Sequence, residues 1–258
     1  MISPRRLGVI LAHELRLARR DPLPVLVMVV FPVVTMAFLK PAFQPALAQA
    51  GHPHANGAEQ VVPGQAVISG FFVVSLVTVA FFNEHAGATW DRLRATAATP
   101  LEIVLGKSLP RVAMSLAQFA VIFAAGVWLF DLHIGGNALA LLPLVLALAI
   151  CLVLLGVAVT AICRTAQQAQ AFAIAGMVLL GAIGGALVPF DVLPGWAQTI
   201  APATPTYWAM RGFRSVILDG QNLGGIAAPV AILAALSLAF ALVALHRFRF
   251  DDHKIGWV

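Results

Sequence analysis

Six apolar runs limit what this chain can become: residues 23–39, 65–82, 112–130, 138–163, 169–188 and 226–246. None has a Lys, Arg, Asp or Glu well inside it. Each is long enough to cross a hydrocarbon core of ~30 Å, which takes about 20 apolar residues in a helix. In lipid every backbone N–H and C=O needs a partner within the structure, so helices are the natural form. The alternation of a membrane barrel is missing. Of the 258 residues 60% are hydrophobic and 10% are charged, whereas soluble domains carry ~25% charge. That scarcity excludes a soluble enzyme, a secreted disulfide scaffold and a disordered protein. The expected fold is an all-α integral membrane domain over residues 1–258. It comprises an N-terminal interfacial helix (1–22), six transmembrane helices (23–246) and a short tail (247–258).

An even number of spans puts both termini on one side, and the basic residues say which. Arg5, Arg6, Arg16, Arg19, Arg20, Arg92, Arg94, Lys107, Arg111, Arg164, Arg247, Arg249 and Lys254 share one side; Lys40, Arg211 and Arg214 are left on the other. The richer side is cytoplasmic by the positive-inside rule. The net charge of +5 is therefore topological and does not call for a nucleic acid. Cys151 and Cys163 form no CxxC and suggest no disulfide framework.

At 100° per residue, Leu7, Leu11, Leu15 and Ala18 share one helical face, while Arg5, His13, Arg16 and Arg20 cluster opposite. This is the pattern of an interfacial amphipathic helix, ended by Asp21-Pro22. A cleavable signal reading, with Ala46-Leu47-Ala48 as the cut, fits poorly because the charged lead and the apolar run are both too long. Residues 41–64, rich in Pro, Ala, Gly and Gln, read as an irregular external loop. His52, His54 and Glu59 there are too loosely spaced to argue for a metal.

The loop 83–109 reads NEHAGATWDRLRATAATPLEIVLGKSL. Gly106-Lys107-Ser108 imitates the end of a phosphate-binding loop, but that motif needs a glycine where Leu101 stands. The acidic Glu84, then Gly87, Arg92-Leu93, Thr99-Pro100 and Gly106-Lys107 resemble the loop after the second helix of ABC-2-type permeases, the membrane subunits of many bacterial ABC exporters. A second match lies in residues 184–219, GGALVPFDVLPGWAQTIAPATPTYWAMRGFRSVILD. Pro189, Leu193-Pro194-Gly195-Trp196, Pro205-Thr206-Tyr207 and Arg211 follow the family's order. The two motifs and the six runs cover essentially the whole chain and look most like daunorubicin-type drug exporters.

The residues of 184–219 can be read on their own terms. The stretch is too apolar for a solvated loop and too broken by proline for one span. Trp196, Tyr207 and Trp208 are interface residues by type. Two short helices dipping into the outer leaflet fit, starting at Pro194 and Pro205, with Gly220 after the second. Gly176, Gly181, Gly184 and Gly185 permit close helix contact, within the monomer or at a dimer seam or substrate path. Arg211 and Arg214 are three apart, on one face. They either anchor in the headgroups or line an exit.

The resemblance implies a dimer, with a second copy or a paralogous permease, joined to separate ATPase subunits that bind ATP and Mg. It implies a coupling surface at Glu84, Gly87, Trp90, Arg92, Arg94, Thr99 and Pro100, and a re-entrant external region at Pro189, Pro194, Trp196, Pro205, Tyr207, Arg211 and Arg214. The place would be the bacterial cytoplasmic membrane. No catalytic, cofactor or metal residue is expected in this chain, and so little follows the last run that the ATPase is expected on another polypeptide. The sparse polar groups of the runs, such as Ser69, Ser75, Thr78, Ser115, Gln118 and Thr160, favour a hydrophobic or amphiphilic substrate, drug or lipid. A membrane enzyme or a proton-coupled carrier would need titratable groups deep in a span, and the runs hold none.

The topology is open to a direct check. A reporter fused after Val258 should be cytoplasmic, and one inserted near Gly57 should be external. Opposite sidedness at either point overturns the map.

Overall fold

A computed structural model describes Gly8, residues 23–86 and residues 100–247. The amphipathic pattern of 1–22, the loop 87–99 and the tail 248–258 otherwise lie outside the described residues. The elements are α1 (Leu23–Gln49), α2 (Ala58–Ala86), α3 (Pro100–Phe130), α4 (Leu141–Ile162), α5 (Ala166–Ile183), α6 (Gly195–Ile200), α7 (Pro205–Ile217) and α8 (Leu223–Arg247), with three single 3-10 turns between them. Among the described residues there is no strand. Six helices, α1 to α5 and α8, are long and apolar enough to cross a membrane, as the six runs require, and the chain is a multi-pass membrane protein.

The core is built around α2. Of its apolar window 72% is buried, against 22–28% for α1, α3, α5 and α8 and 50% for α4. It packs on α1, α3, α4, α5 and α7, while α8 lies against α4 and α7. Gly70 of α2 is where three helices meet: a methyl there would sit 2.7 Å from Leu152 of α4 and 3.1 Å from Phe119 of α3. Small residues let helix backbones close in where lipid supplies no hydrophobic drive. Phe71, Phe119, Leu144, Leu148, Leu152, Phe213 and Leu233 fill the interior. Phe38, Trp128, Phe172 and Leu245 point outward, as suits a surface bathed in acyl chains.

The helices run further than the apolar runs. α1 continues through Pro41 and Pro45 to Gln49, and α2 starts at Ala58, so the irregular link expected over 41–64 shrinks to 50–57. The reason is local. Asn56 Oδ1 accepts from Ala58 N (2.9 Å) and Glu59 Oε2 accepts from Asn56 N (3.0 Å). This reciprocal cap starts α2 seven residues before its apolar run. α3 begins at Pro100, the first-turn position that proline favours, and takes up residues 101–109 that read as loop. Gly106-Lys107-Ser108 is thus helix interior. Lys107 is buried, its Nζ 3.5 Å from Ala80 O and 5.9 Å from the Phe81 ring centre. Glu102 one turn earlier is also buried.

Proline inside a spanning helix leaves a carbonyl without a donor. In α1, Pro32 does this to Met28. Gln118 of α3 supplies the missing bond: its Nε2 donates to Met28 O (3.1 Å) and lies 3.4 Å from Ser69 O of α2. One side chain thereby ties three helices. Gln118→Leu should lower stability by about 1–2 kcal/mol, the range for interhelical hydrogen bonds and orphaned carbonyls. In a Pro32→Ala background the loss should shrink, because the backbone N–H restored by that substitution can serve Met28 O. Unfolding titrations in detergent would show it, and equal losses in both backgrounds would refute the pairing.

Candidate functional site

Three links are laced together at one end of the bundle, where α1, α3 and α5 end and α2, α4 and α8 begin. α3 stops at Asp131, whose φ of 53° is a left-handed cap. Its last carbonyl, Phe130 O, accepts from Lys40 Nζ of α1 at 2.7 Å, and Asn56 Nδ2 donates to Asp131 O at 2.9 Å. The following loop caps α7 from outside: Gly135 N donates to Ile217 O (3.0 Å) and Gly136 N to Val216 O (2.9 Å). α5 is tied to α7 by Thr206 Oγ1, which donates to Leu180 O. Gln60 Nε2 of α2 donates to Gly185 O at 2.8 Å.

Between these ties lies a cavity of about 420 Å³. Glu59 and Gln60 of α2 form one wall; Tyr207, Arg211 and Arg214 of α7 and the Phe190 ring form the other. α7 is strongly two-faced. Ala209, Met210, Phe213 and Val216 are buried, with Phe213 on Phe123 of α3 (ring centres 5.3 Å). Arg211 is exposed and Arg214 half-buried. Thr204 caps its start, accepting from Tyr207 N at 3.3 Å.

The charges in and around the cavity differ in how they are held. Arg214 is ion-paired with Asp191. Arg211 lies over the Trp208 ring at 5.3 Å and has no ion pair among the described residues. Glu59 is 5% exposed; its Oε2 serves the cap, and its Oε1 has no partner among the described residues. Tyr207 packs on Phe190 (5.1 Å) and Trp208 (5.2 Å), and Trp208 Nε1 donates to Pro202 O at 2.8 Å.

The expected residues divide accordingly. Arg211, Arg214 and Tyr207 share the cavity. Pro194 caps α6, Pro205 opens α7, and Gly220 follows α7 with φ +65°, as the proline and glycine spacing predicts. Pro189 precedes a 3-10 turn, and Trp196 is exposed; neither these prolines nor Trp196 lines the cavity. The snorkelling reading is incomplete for Arg214, because Asp191 holds it. Of the coupling set, Glu84 lies in the last turn of α2 and Pro100 starts α3, at the opposite end from the cavity. Gly87, Trp90, Arg92, Arg94 and Thr99 are outside the described residues. Sequence reading assigned no part in this site to Glu59, Gln60 or Asp191. The Asn56-x-x-Glu59 cap pattern was the available signal for the first.

Of the buried polar groups of the spans, Glu59 and Gln60 line the cavity at the start of α2, and Ser237 of α8 lines an otherwise apolar groove against α4. Ser69, Thr160 and Ser237 donate to carbonyls one turn back in their own helices. Gln65 Oε1, Ser108 Oγ, Ser115 Oγ and Gln118 Oε1 are buried without a partner, all on α2 and α3. Among the described residues no three His, Cys, Asp or Glu are grouped to hold a metal ion.

A family model described as ABC-2 type transporter matches residues 5–218. Linearmycin resistance permease protein LnrN of Bacillus subtilis (strain 168) is 30% identical over 159 residues, 60% of this chain and 41% of that protein. ABC transporter G family member 20 of Dictyostelium discoideum is 25% identical over 194 residues, 75% of this chain and 27% of its own length. Probable multidrug ABC transporter permease YbhR of Escherichia coli (strain K12) is 24% identical over 146 residues, 56% and 40% of the two chains. The chain spans well under half the length of these relatives.

The α5–α7 joint is a sharp test of the cavity's frame. A methyl on Gly184 would collide with Thr206, so Gly184→Ala should cost about 1–3 kcal/mol, as overpacking does. Gly176→Ala, whose methyl would meet Phe71 at 3.7 Å, should be neutral. Thermal melts of the two purified variants would separate the sites, and equal melting temperatures would count against the tight joint.

Proposed function

The chain belongs to the ABC-2 type transporter family, and from that membership we propose that it is the membrane-spanning subunit of an ATP-driven exporter. It would pair with a second copy or a paralogous permease and with separate ATPase subunits that hold ATP and Mg. The complex would move a hydrophobic or amphiphilic molecule, drug or lipid, from the cytoplasm or inner leaflet outward. The observation that carries the reading is the family match across residues 5–218, which takes in both the 83–109 loop and the stretch through α7. The names of the resistance and multidrug permeases among its relatives support a drug-like or amphiphilic cargo.

The basic residues assign the two ends. The cavity end faces outward and both termini are cytoplasmic, in a bacterial cytoplasmic membrane. α6 and α7 are then re-entrant helices at the outer leaflet, with non-helical backbone at that depth shielded by protein. The Gly135 and Gly136 contacts to the α7 end support this, because they occupy two of its last carbonyls. Glu84, Gly87, Trp90, Arg92, Arg94, Thr99 and Pro100 form the surface on which the ATPase pushes, with the N-terminal amphipathic segment beside it. Arg211 and Arg214 line the exit.

Purified alone, the chain should not hydrolyse ATP; co-purified with its ATPase, it should yield hydrolysis that its substrate modulates. Arg92→Glu with Arg94→Glu should cut transport into inside-out vesicles by about tenfold or more, since like-charge contacts at a docked surface cost several kcal/mol. Membrane insertion should be unaffected. Unchanged transport by the double variant would remove this loop from the coupling surface.

A further inference from the structure

We propose that the cavity between α2 and α7 is a binding site for a zwitterionic head group, with an ammonium at Glu59 and an anionic phosphate or carboxylate at Arg211. Glu59 is a carboxylate almost removed from water, with Oε2 engaged by the Asn56 N–H and Oε1 unpartnered at the cavity wall. A carboxylate oxygen with no protein partner that opens onto a cavity is free to accept from a cationic donor, and charge-assisted hydrogen bonds are the strong ones. Phe190 and Tyr207 line the same space with their rings 5.1 Å apart. Aromatic rings beside a carboxylate suit an ammonium.

The opposite sign is also available. Arg211 lines the cavity with its guanidinium held over Trp208, and it makes no ion pair with Glu59 or any other described residue. Arg214 is already neutralised by Asp191. Among the described residues the cavity thus presents one cation without an ion pair, Arg211, and two carboxylates without one, Glu59 and Asp219; of the two carboxylates Asp219 is exposed and only Glu59 is buried. A simple anion would satisfy Arg211 and repel Glu59, and a simple amine would do the reverse. A molecule carrying both charges satisfies both, and about 420 Å³ gives room for a head group rather than a whole lipid. The inference rests on reading this end of the bundle as outward-facing. The head group could come from a bilayer phospholipid or from an exported amphiphile.

The test is calorimetric titration of the full chain with glycerophosphoethanolamine, a net-neutral zwitterion, against glycerophosphoglycerol and ethanolamine, which carry one sign each. The zwitterion should bind about tenfold or more tightly than either, a difference of the size one satisfied charge provides. Glu59→Gln keeps an oxygen for the Asn56 N–H, since glutamine serves this cap as well, so it should melt like wild type yet bind about tenfold more weakly. Arg211→Gln, on the exposed side of α7, should lose a similar factor. Repeating the titration in nanodiscs identifies the source. Weaker apparent binding in phosphatidylethanolamine than in phosphatidylglycerol discs means that a bilayer lipid fills the site; equal binding in both means that the site waits for an exported head group. The proposal is overturned if either single-charge probe binds as tightly as the zwitterion, or if both variants bind it like wild type. Because no ATP or transport is involved, such a failure would leave the exporter reading intact, and loss of transport coupling would leave this site intact.

Discussion

Every peptide group in the bilayer must find its partner inside the protein, and this chain strains that rule by placing prolines and short links where helices meet. The repairs explain much of the tertiary structure. Pro32 orphans Met28 O, and Gln118 of α3 answers it. The end of α3 exposes Phe130 O, and Lys40 of α1 answers that. The end of α7 offers Ile217 O and Val216 O to the N–H groups of Gly135 and Gly136. Leu180 O takes Thr206, and Gly185 O takes Gln60. In each case the donor comes from another element, so satisfying the backbone also docks the helices.

These repairs are concentrated at the cavity end, and the chemistry follows them there. A group recruited to satisfy backbone brings polarity to a place where charge is cheaper than at the bilayer centre, which disfavours ions by roughly 2.5–3.5 kcal/mol on insertion scales. Glu59 illustrates this. Its first task is to cap α2 through Asn56 N, and only its second oxygen is left for the cavity. Arg214 likewise closes an internal pair with Asp191, while Arg211 beside it stays available.

The spans were legible because twenty-odd apolar residues without charge leave few alternatives; α4 and α8 fall within a few residues of their runs. Helix ends were not, because hydropathy marks what lipid touches rather than where hydrogen bonding stops. α2 begins seven residues before its run through a cap, and α1 continues past Pro41 and Pro45, where a rule that ends helices at proline predicts a loop. The two short helices were legible from Pro194, Pro205 and Gly220. The cavity was half legible: Arg211 and Arg214 stand out as rare charges, but their sorting into one paired and one free depends on Asp191, 23 residues away. Glu59 looked like a loop residue because nothing in the hydropathy carries α2 back to Ala58; the cap at Asn56 does.

The interior polar groups make the division of labour sharper. Ser69, Thr160 and Ser237 turn their hydroxyls back onto their own helices, and Gln118 is held by two carbonyls. These hydroxyls and the Gln118 amide N–H are therefore spent on backbone carbonyls, and the groove between α4 and α8 is lined by apolar side chains apart from Ser237. An amphiphile that keeps its tail among apolar side chains would be sorted by its polar head, and within this subunit the described residues concentrate charge for such sorting at the α2–α7 cavity. On the outward-facing reading, that puts discrimination after the crossing, where a head group re-entering water has most need of hydrogen-bond partners.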